Sequence, residues 1–505
     1  MRATLSLEQS LFRRQKAAID EALGVRGRPH ILYERRYRAR LPRVGEPISL
    51  GEVDRRVRAA QVVFVGDYAS FAPAQRAFAA LVERSLRAPG PTVIALQGLD
   101  VSSQPDLARF VAGKLSPQRL RTRLGAAGPE GAPFWSHLEP ILTLARTRRL
   151  ELLPLDSGRR SLTSWDRSAA ERVAQRLRQP DRPRVFVLAG QFHVAPCHLP
   201  GHVLAQVDAR ALTVFQNPEP PYWTRPNAGG VGALALSGNA LCLFSGTPVL
   251  CQQSLLELIE GDEDDLKLSG PLEDEVGALA KALGRRLQLK VERPLSTLTV
   301  ASAESLDALV STLGRSQLSR ADQQRVEAHV LSRESGYFPR AQLLYLANRS
   351  RTHAAEEVAH WLRHVLVGEA LVRPRRGAQA FHARILEEAL AFFASRWVVP
   401  RRPFRSAEEW AEVLASRGPD RQAAAFVLAH LSAARGGEAL EALIPHGDLA
   451  LFHAVTHGLG YLLGDALARA HGARRISDAG VRALFRDPFD DASAAFRALS
   501  SDLLT

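Results

Sequence analysis

The 505-residue chain predicts an α/β protein: a mostly parallel sheet with flanking helices, then a mixed connector and an all-α C-terminal region. Three observations predict it. Short apolar runs recur at residues 62–65, 93–96, 150–155 and 185–188, with amphipathic stretches between them. Parallel strands buried on both faces read as such runs, and their crossovers read as helices. From about residue 338 onward, apolar residues fall at spacings of three and four through almost the whole chain, which is the helical period. Finally, the length exceeds one ordinary domain, and an apolar share of 46% is enough for real cores.

Taken in order, residues 1–29 predict an N-terminal helix, its body at 7–23 and its end near Gly24. Residues 30–54 read as extended and basic, with Pro42 and Pro47 as breakers. The four apolar runs are the strands of an α/β domain over 30–265, with helices at 73–87, 104–115, 134–148 and 168–178. Beyond His193 the pattern loosens. Residues 212–215, 233–236 and 241–244 read as further strands, 217–223 as a Pro-rich loop, and 253–260 as a closing helix. The acidic run Asp262-Glu263-Asp264-Asp265 marks a boundary. Residues 266–337 form the mixed connector, with a strand at 297–301 and a helix at 306–313. Residues 338–505 form the helical domain, with helices at 341–370, 380–397, 407–416, 421–434 and 450–470.

Composition excludes several classes. The net charge of +13 comes mostly from arginine. Its clusters (Arg35-Arg36, Arg148-Arg149, Arg375-Arg376, Arg401-Arg402) are short and scattered, and no nucleic-acid or P-loop motif accompanies them. Spread surface charge is the expectation. No apolar run reaches the ~18 residues of a membrane span, and the first residues lack the apolar core of a signal peptide. Three widely spaced cysteines, Cys197, Cys242 and Cys251, suit neither a disulfide framework nor a zinc pattern. A cytoplasmic location is expected.

Ligands of open parallel sheets bind just past the carboxyl ends of the strands. The four strands run into Asp67, Gln97, Asp156 and Gly190-Gln191-Phe192-His193. Each residue also has a purely structural explanation. Asp67 could cap the helix near Pro73, Asp156 could belong to a turn, and His193 could be a satisfied loop histidine. Polar residues at four equivalent strand ends favour a site.

These same segments carry a resemblance. Residues 62–75 are similar to the opening motif of ChaN-like proteins of the Tiki/TraB/erythromycin-esterase superfamily, an apolar strand followed by Gly-Glu-x-His and a helix. Residues 93–98 resemble the family's second strand, which ends in Glu. Residues 185–193, followed by Leu199-Pro200, resemble its late Gly-x-x-His strand end. The resemblance covers roughly residues 30–260. It implies a small-molecule ligand, haem or a divalent metal, and together with the strand-end placement of Asp156 it makes Asp67, Asp156 and His193 the candidate catalytic residues. Asp67 and His193 are the candidate metal ligands, and Tyr68, Gln97 and the strand-end Gln191 the candidate ligand-binding residues. Tyr68 enters because ChaN is linked to tyrosine-type haem ligation. The departures matter as much. Asp67 stands where the family has Glu, Ala69 where it has His, and Gln97 where it has Glu. Gln97 cannot act as a base, and Ala69 cannot bind a metal. The expectation is therefore a ligand-binding protein with a degenerate catalytic centre. The alternatives are a metal-dependent hydrolase and a non-catalytic interaction scaffold.

In the helical region, Glu356, His360 and His364 share a helix face by their spacing of four. Glu357-x-x-His360 has the form used in di-metal bundles, and Glu387, Glu388, His453 and His457 lie on other predicted helices. A di-metal bundle uses two such motifs, and this chain has one. Solvent-facing charges and helix-packing histidines are expected instead. Gly458-Leu459-Gly460-Tyr461 predicts close helix packing. A protein partner, if there is one, is expected to dock on this region.

Overall fold

The computed structural model describes residues 2–24, 26–68, 70–126, 132–158, 161–224, 232–260, 267–315, 318–418, 420–436, 444–445 and 449–503. Ala69 and the acidic run at 262–265 lie outside the described residues. The chain divides into two compact units, Met1–Asp262 and Glu263–Thr505.

The first unit opens with helices α1 (Arg2–Leu23) and α2 (Arg28–Ala39), a short strand β1 (Val44–Pro47) and helix α3 (Leu50–Ala59). The extended stretch expected over 30–54 is thus mostly helical. Pro29 occupies the first turn of α2, where its missing N–H costs nothing. Ser49 caps α3 by accepting a hydrogen bond from the Glu52 N–H at 3.2 Å. Pro42 and Pro47 do break the chain, but between these helices. Only Tyr33 and Tyr37 of α2 are buried. A stripe two residues wide is too narrow to stand out among the arginines.

The alternation then runs β2 (Val62–Asp67), α4 (Ala72–Ser85), β3 (Thr92–Asp100), α5 (Gln104–Val111), α6 (Pro117–Arg123), α7 (Ala132–Arg148), β4 (Glu151–Asp156), α8 (Leu162–Leu177), β5 (Arg184–Gly190) and α9 (Leu199–Leu204). It closes with β6 (Ala211–Gln216), α10 (Glu219–Trp223), β7 (Ala233–Leu236), β8 (Ala240–Leu243) and α11 (Pro248–Glu260). The expected Pro-rich loop at 217–223 contains the short helix α10, with prolines in its first turn. One eight-stranded sheet results, in the order β1-β7-β8-β6-β2-β5-β3-β4. Strands β2 to β6 and β8 pair in parallel, and β7 is antiparallel to both β8 and β1.

The sheet is covered on both faces. Val63, Val65, Ile94, Leu96, Phe186 and Leu188 pack with α4 and α7 through Phe78, Leu81, Leu138 and Ile141. Val62, Phe64, Val93, Ala95, Val185 and Val187 pack with α8 and α9 through Trp165, Ala169, Val173, Leu199 and Val203. Burial on both sides explains why these strands are apolar throughout. The connections diverge at the centre. The chain leaves β2 across α4 on one face towards β3. It leaves the neighbouring β5 across α9 on the other face towards β6, on the far side of β2. Such a switch point opens a crevice at the carboxyl ends of the two strands.

The second unit contains α12 (Leu272–Arg286), α13 (Glu292–Leu295), β9 (Thr299–Ser302), α14 (Leu306–Arg315), α15 (Arg320–Leu331), β10 (Gly336–Phe338) and β11 (Leu343–Leu346). It continues with α16 (Arg351–Val367), α17 (Gly377–Val398), α18 (Ala407–Ala415), α19 (Arg421–Gly436), α20 (Leu449–Gly472), α21 (Asp478–Arg486) and α22 (Ala492–Leu503). The helix expected over 341–370 is corrected at its start. Residues 343–346 pair with β9 in parallel inside a three-stranded sheet, β10-β11-β9. The helix proper begins at Arg351, where Ser350 accepts a hydrogen bond from the His353 N–H at 3.1 Å.

Helices α17 and α20 pack closely, as the glycines suggest. A Cβ on Gly460 would collide with the Glu388 Cβ, and one on Gly464 with the Ala389 carbonyl. The charges expected on the solvent face are instead interior. Glu356, Glu357, Glu388 and Arg402 are buried. Packing of α16, α17 and α20 around one core keeps these groups from water, and Glu356 and Glu388 are each paired with a buried or half-buried cationic side chain. Glu356 Oε1 lies 2.6 Å from Arg402 Nη1, and Glu388 Oε2 lies 3.1 Å from His457 Nε2. No described helix is long and apolar enough to cross a membrane.

Candidate functional site

The carboxyl edge of β2, β3 and β5 carries a continuous polar network. Its centre is His193, in the tight turn after β5, where its N–H donates to the Gly190 carbonyl at 2.8 Å. His193 Nδ1 lies 2.7 Å from Asp166 Oδ1 on α8 and 2.8 Å from the Tyr33 hydroxyl on α2. The Tyr33 hydroxyl donates to Asp166 Oδ2 at 2.7 Å. Tyr33 stays protonated, because burial, then the Asp166 charge, push its phenol well above its ordinary range. Trp165 tilts against the His193 ring with centroids 4.4 Å apart. His198 stacks on Tyr33 at 3.8 Å, and its Nδ1 donates to the Phe192 carbonyl at 2.7 Å.

Hydrogen-bond logic assigns the protons. The Asp166 carboxylate only accepts, so His193 carries its proton on Nδ1. The Nε2 lone pair is then free to accept. It faces the side-chain amide nitrogen of Gln97 at 3.4 Å. Gln97 cannot flip, because its Oε1 accepts from the Gly190 N–H at 2.7 Å. One relay therefore runs from the Gly190 N–H through Gln97 and His193 to Asp166. The 3.4 Å step is long for a hydrogen bond, so a better donor would displace the Gln97 amide from Nε2.

The other residues expected at this edge fall into two groups. Asp156 Oδ2 accepts from the Gly98 N–H at 3.0 Å, and Asp156 Oδ1 accepts from Trp165 Nε1 at 2.6 Å. Asp156 thus braces the indole that packs on His193. Burial raises its carboxyl above the ordinary range, and the Trp165 and Gly98 donors offset part of that. Gly98 has φ +88°, a conformation that favours glycine, and it turns β3 so that its N–H meets Asp156. Asp67, across the switch point on β2, is bound by the side-chain amide of Gln75, which also donates to the Tyr68 carbonyl at 2.9 Å. Burial pushes the Asp67 carboxyl up to about 6, against the pull of Gln75. Gln191 ties three strands together. Its N–H donates to the Asp67 carbonyl at 3.1 Å, and its Oε1 accepts from the Gln216 N–H at 3.3 Å. A Cβ on Gly66 would strike that same Oε1. Tyr68 packs with Phe71, Ala74, Leu250 and Cys251.

Gln97 and His193 are in contact, as strand-end reasoning expects, with Asp156 one indole away. The carboxylate hydrogen-bonded to His193 is Asp166, which was not among the expected residues, and neither was Tyr33. A signal for Asp166 existed. It shares the buried side of α8 with Trp165, Ala169, Ala170 and Val173, and a carboxylate on an apolar stripe is rarely structural filler.

The haem and metal that the resemblance implies do not fit these donors. Tyr68 is embedded in a small apolar cluster, the Asp67 carboxylate is bound to Gln75, and His193 presents Nε2 to an amide. Among the described residues, no group of three or more His, Cys, Asp and Glu side chains is placed to hold a metal ion. In the second unit, Glu388 takes an ion pair from Arg384 as well as from His457, so a cation already occupies that carboxylate. Comparison of the chain with protein-family models, with curated proteins and with solved structures finds no match.

Proposed function

We propose that the first unit binds a small polar ligand at the crevice between β2, β3 and β5, as a ChaN-like protein with a degenerate catalytic centre. The observation that carries this reading is the Gln97 amide fixed against His193 Nε2. A neutral amide at that point neither moves a proton nor binds a cation. It does hold the imidazole as an oriented acceptor, which suits a ligand bearing a hydroxyl or amide N–H. Such a donor replaces the weak Gln97 contact and meets a base already backed by Asp166 and Tyr33.

The Asp166–His193 pair favours a second reading, general-base hydrolysis without a metal. A carboxylate that orients the imidazole leaves Nε2 able to take a proton from water. Two measurements separate the readings. Native mass spectrometry of the full chain and of His193→Ala tests for a bound small molecule. Hydrolysis of p-nitrophenyl acetate by both proteins, with and without chelator, tests for turnover. Binding predicts an adduct lost in His193→Ala and no turnover above background. Chelator-insensitive turnover lost in His193→Ala would favour the second reading. Chelator-sensitive turnover would overturn the first and restore a metal-dependent hydrolase.

A further inference from the structure

The second unit holds a cavity of about 560 Å³, within the size range of small-molecule sites. Three separate stretches of chain build it: α15, the turn after β10, and the segment linking α16 to α17. Each stretch contributes one arginine, namely Arg325, Arg340 and Arg375. Asp322 is the one carboxylate among the lining residues, and it organises two of the three. Its Oδ1 lies 3.3 Å from Arg325 Nη1, and its Oδ2 lies 3.2 Å from Arg340 Nη1. The Ser319 hydroxyl donates to Asp322 Oδ2 at 2.8 Å. Arg375 is held differently, by donating Nη2 to the Pro488 carbonyl at 2.6 Å. Each guanidinium has five N–H donors, so these ties orient the arginines without exhausting them.

Charge and shape then define a ligand. Three guanidinium groups against one carboxylate leave two positive charges uncompensated in the lining. The rest of the wall is apolar, with Val326 and Ala341 buried and Leu318, Phe338, Val372 and two prolines completing it. A free inorganic anion would leave that apolar wall unused, and a neutral apolar molecule would leave the guanidiniums unmatched. A monocarboxylate would balance one charge of the two.

We propose that this cavity binds a phosphate monoester carried on an apolar body about the size of a fused aromatic ring. The dianionic head meets Arg325, Arg340 and Arg375, whose planar forks match phosphate oxygens. The body lies over Phe338 and Val372. This site belongs to the second unit and does not depend on the ligand proposed for the first.

The test is isothermal titration of the full chain with 1-naphthyl phosphate, alongside 1-naphthol, 1-naphthoate and inorganic phosphate. The expected result is saturable binding of 1-naphthyl phosphate, with each of the other three at least tenfold weaker. Arg325→Ala and Arg340→Ala each weaken it by about tenfold or more, the loss expected for a charge-assisted hydrogen bond. Those side chains are 74% and 59% exposed, so both variants retain the fold. Phe338→Ala weakens naphthyl phosphate while leaving inorganic phosphate unchanged. An Arg119→Ala variant, altered on an exposed face of the first unit, binds like the parent. The proposal fails if millimolar naphthyl phosphate gives no heat of binding, or if Arg325→Ala and Arg340→Ala match the parent. It fails equally if inorganic phosphate or naphthoate binds as tightly as the phosphate ester.

Discussion

Asp166 Oδ1 lies 2.7 Å from His193 Nδ1, a polar contact between α8 and the β5 turn that the Tyr33 hydroxyl and the Trp165 ring flank. Asp166 is fully buried and accepts from two donors at once. Asp166→Ala leaves both without their carboxylate. Tyr33 and His193 can re-pair with each other, which leaves one buried donor unsatisfied at a cost of about 1–3 kcal/mol in urea unfolding. The proton should also move. Tyr33 would donate to His193 Nδ1, forcing the hydrogen to Nε2, where it confronts the Gln97 amide. Side-chain ¹⁵N chemical shifts of His193 report that change, and an unchanged tautomer would argue against Asp166 as its cause.

Asp67 sets a pH dependence whose sign follows from its burial. Its carboxyl titrates at about 6 in the folded chain, against an ordinary value of 3.8. The folded state therefore holds this proton more tightly than the unfolded state does. The stabilisation is complete below pH 3.8 and is lost as pH rises through about 6. Asp67→Asn abolishes that loss, since the Asn carbonyl still accepts from Gln75 and carries no charge. Urea midpoints measured from pH 4 to 7 should fall less steeply for the variant than for the parent. Parallel curves would mean that the Asp67 carboxylate pays no burial cost.

Arg402 and Glu356 make a second testable pair, in the other unit. Both are 5% exposed, and Tyr461 donates to the same carboxylate at 3.1 Å. Arg402→Ala strands Glu356 in the core. Breaking a buried ion pair from one side costs about 3–5 kcal/mol. Arg402→Met, which fills the space but also leaves the charge, should lose nearly as much. The double variant Arg402→Met with Glu356→Leu should recover most of it. Thermal unfolding of the three proteins checks the order, and additive losses in the double variant would contradict it.

What was legible in the sequence follows the physics of each element. Central strands such as Val62–Asp67 are buried on both faces and announce themselves as apolar runs, and their ends follow at once. Gln97 and His193 were therefore within reach. Asp166 and Tyr33 come from helices, which a strand-end argument never visits, and the signal for Asp166 lies instead in the buried stripe of α8. With the start of α8 expected at residue 168 instead of Leu162, Asp166 fell outside the helix and lost its place on the buried stripe. Tyr33 vanished with α2, whose charges mask a stripe of two tyrosines one turn apart. The strand Leu343–Leu346 reads as part of a helix in the sequence because four apolar residues in a row carry no period that separates strand from helix.

A single atom exchange at Gln97 inverts the relay to His193. Gln97→Glu keeps the oxygen that accepts from the Gly190 N–H, but turns a carboxylate oxygen towards His193 Nε2, where an amide donor stood 3.4 Å away. Two acceptors cannot face each other at that distance. Either a proton enters between them or a cation does. Ala69→His, at a position outside the described residues, adds the imidazole that the ChaN-like motif carries two residues after its strand-end acid. A carboxylate and neutral imidazoles are good ligands for zinc. The double variant should thus bind divalent zinc where the parent does not, in a competition titration against a chromophoric chelator. Gln97→Glu alone should gain little zinc affinity and instead protonate His193 on both nitrogens, visible in the same ¹⁵N shifts. Negligible zinc binding by parent and double variant alike would mean that this edge never had the geometry of a metal site. Tight zinc binding by the parent would mean that the Gln97 amide leaves Nε2 free, and the ligand-binding proposal would give way to a metal-dependent hydrolase.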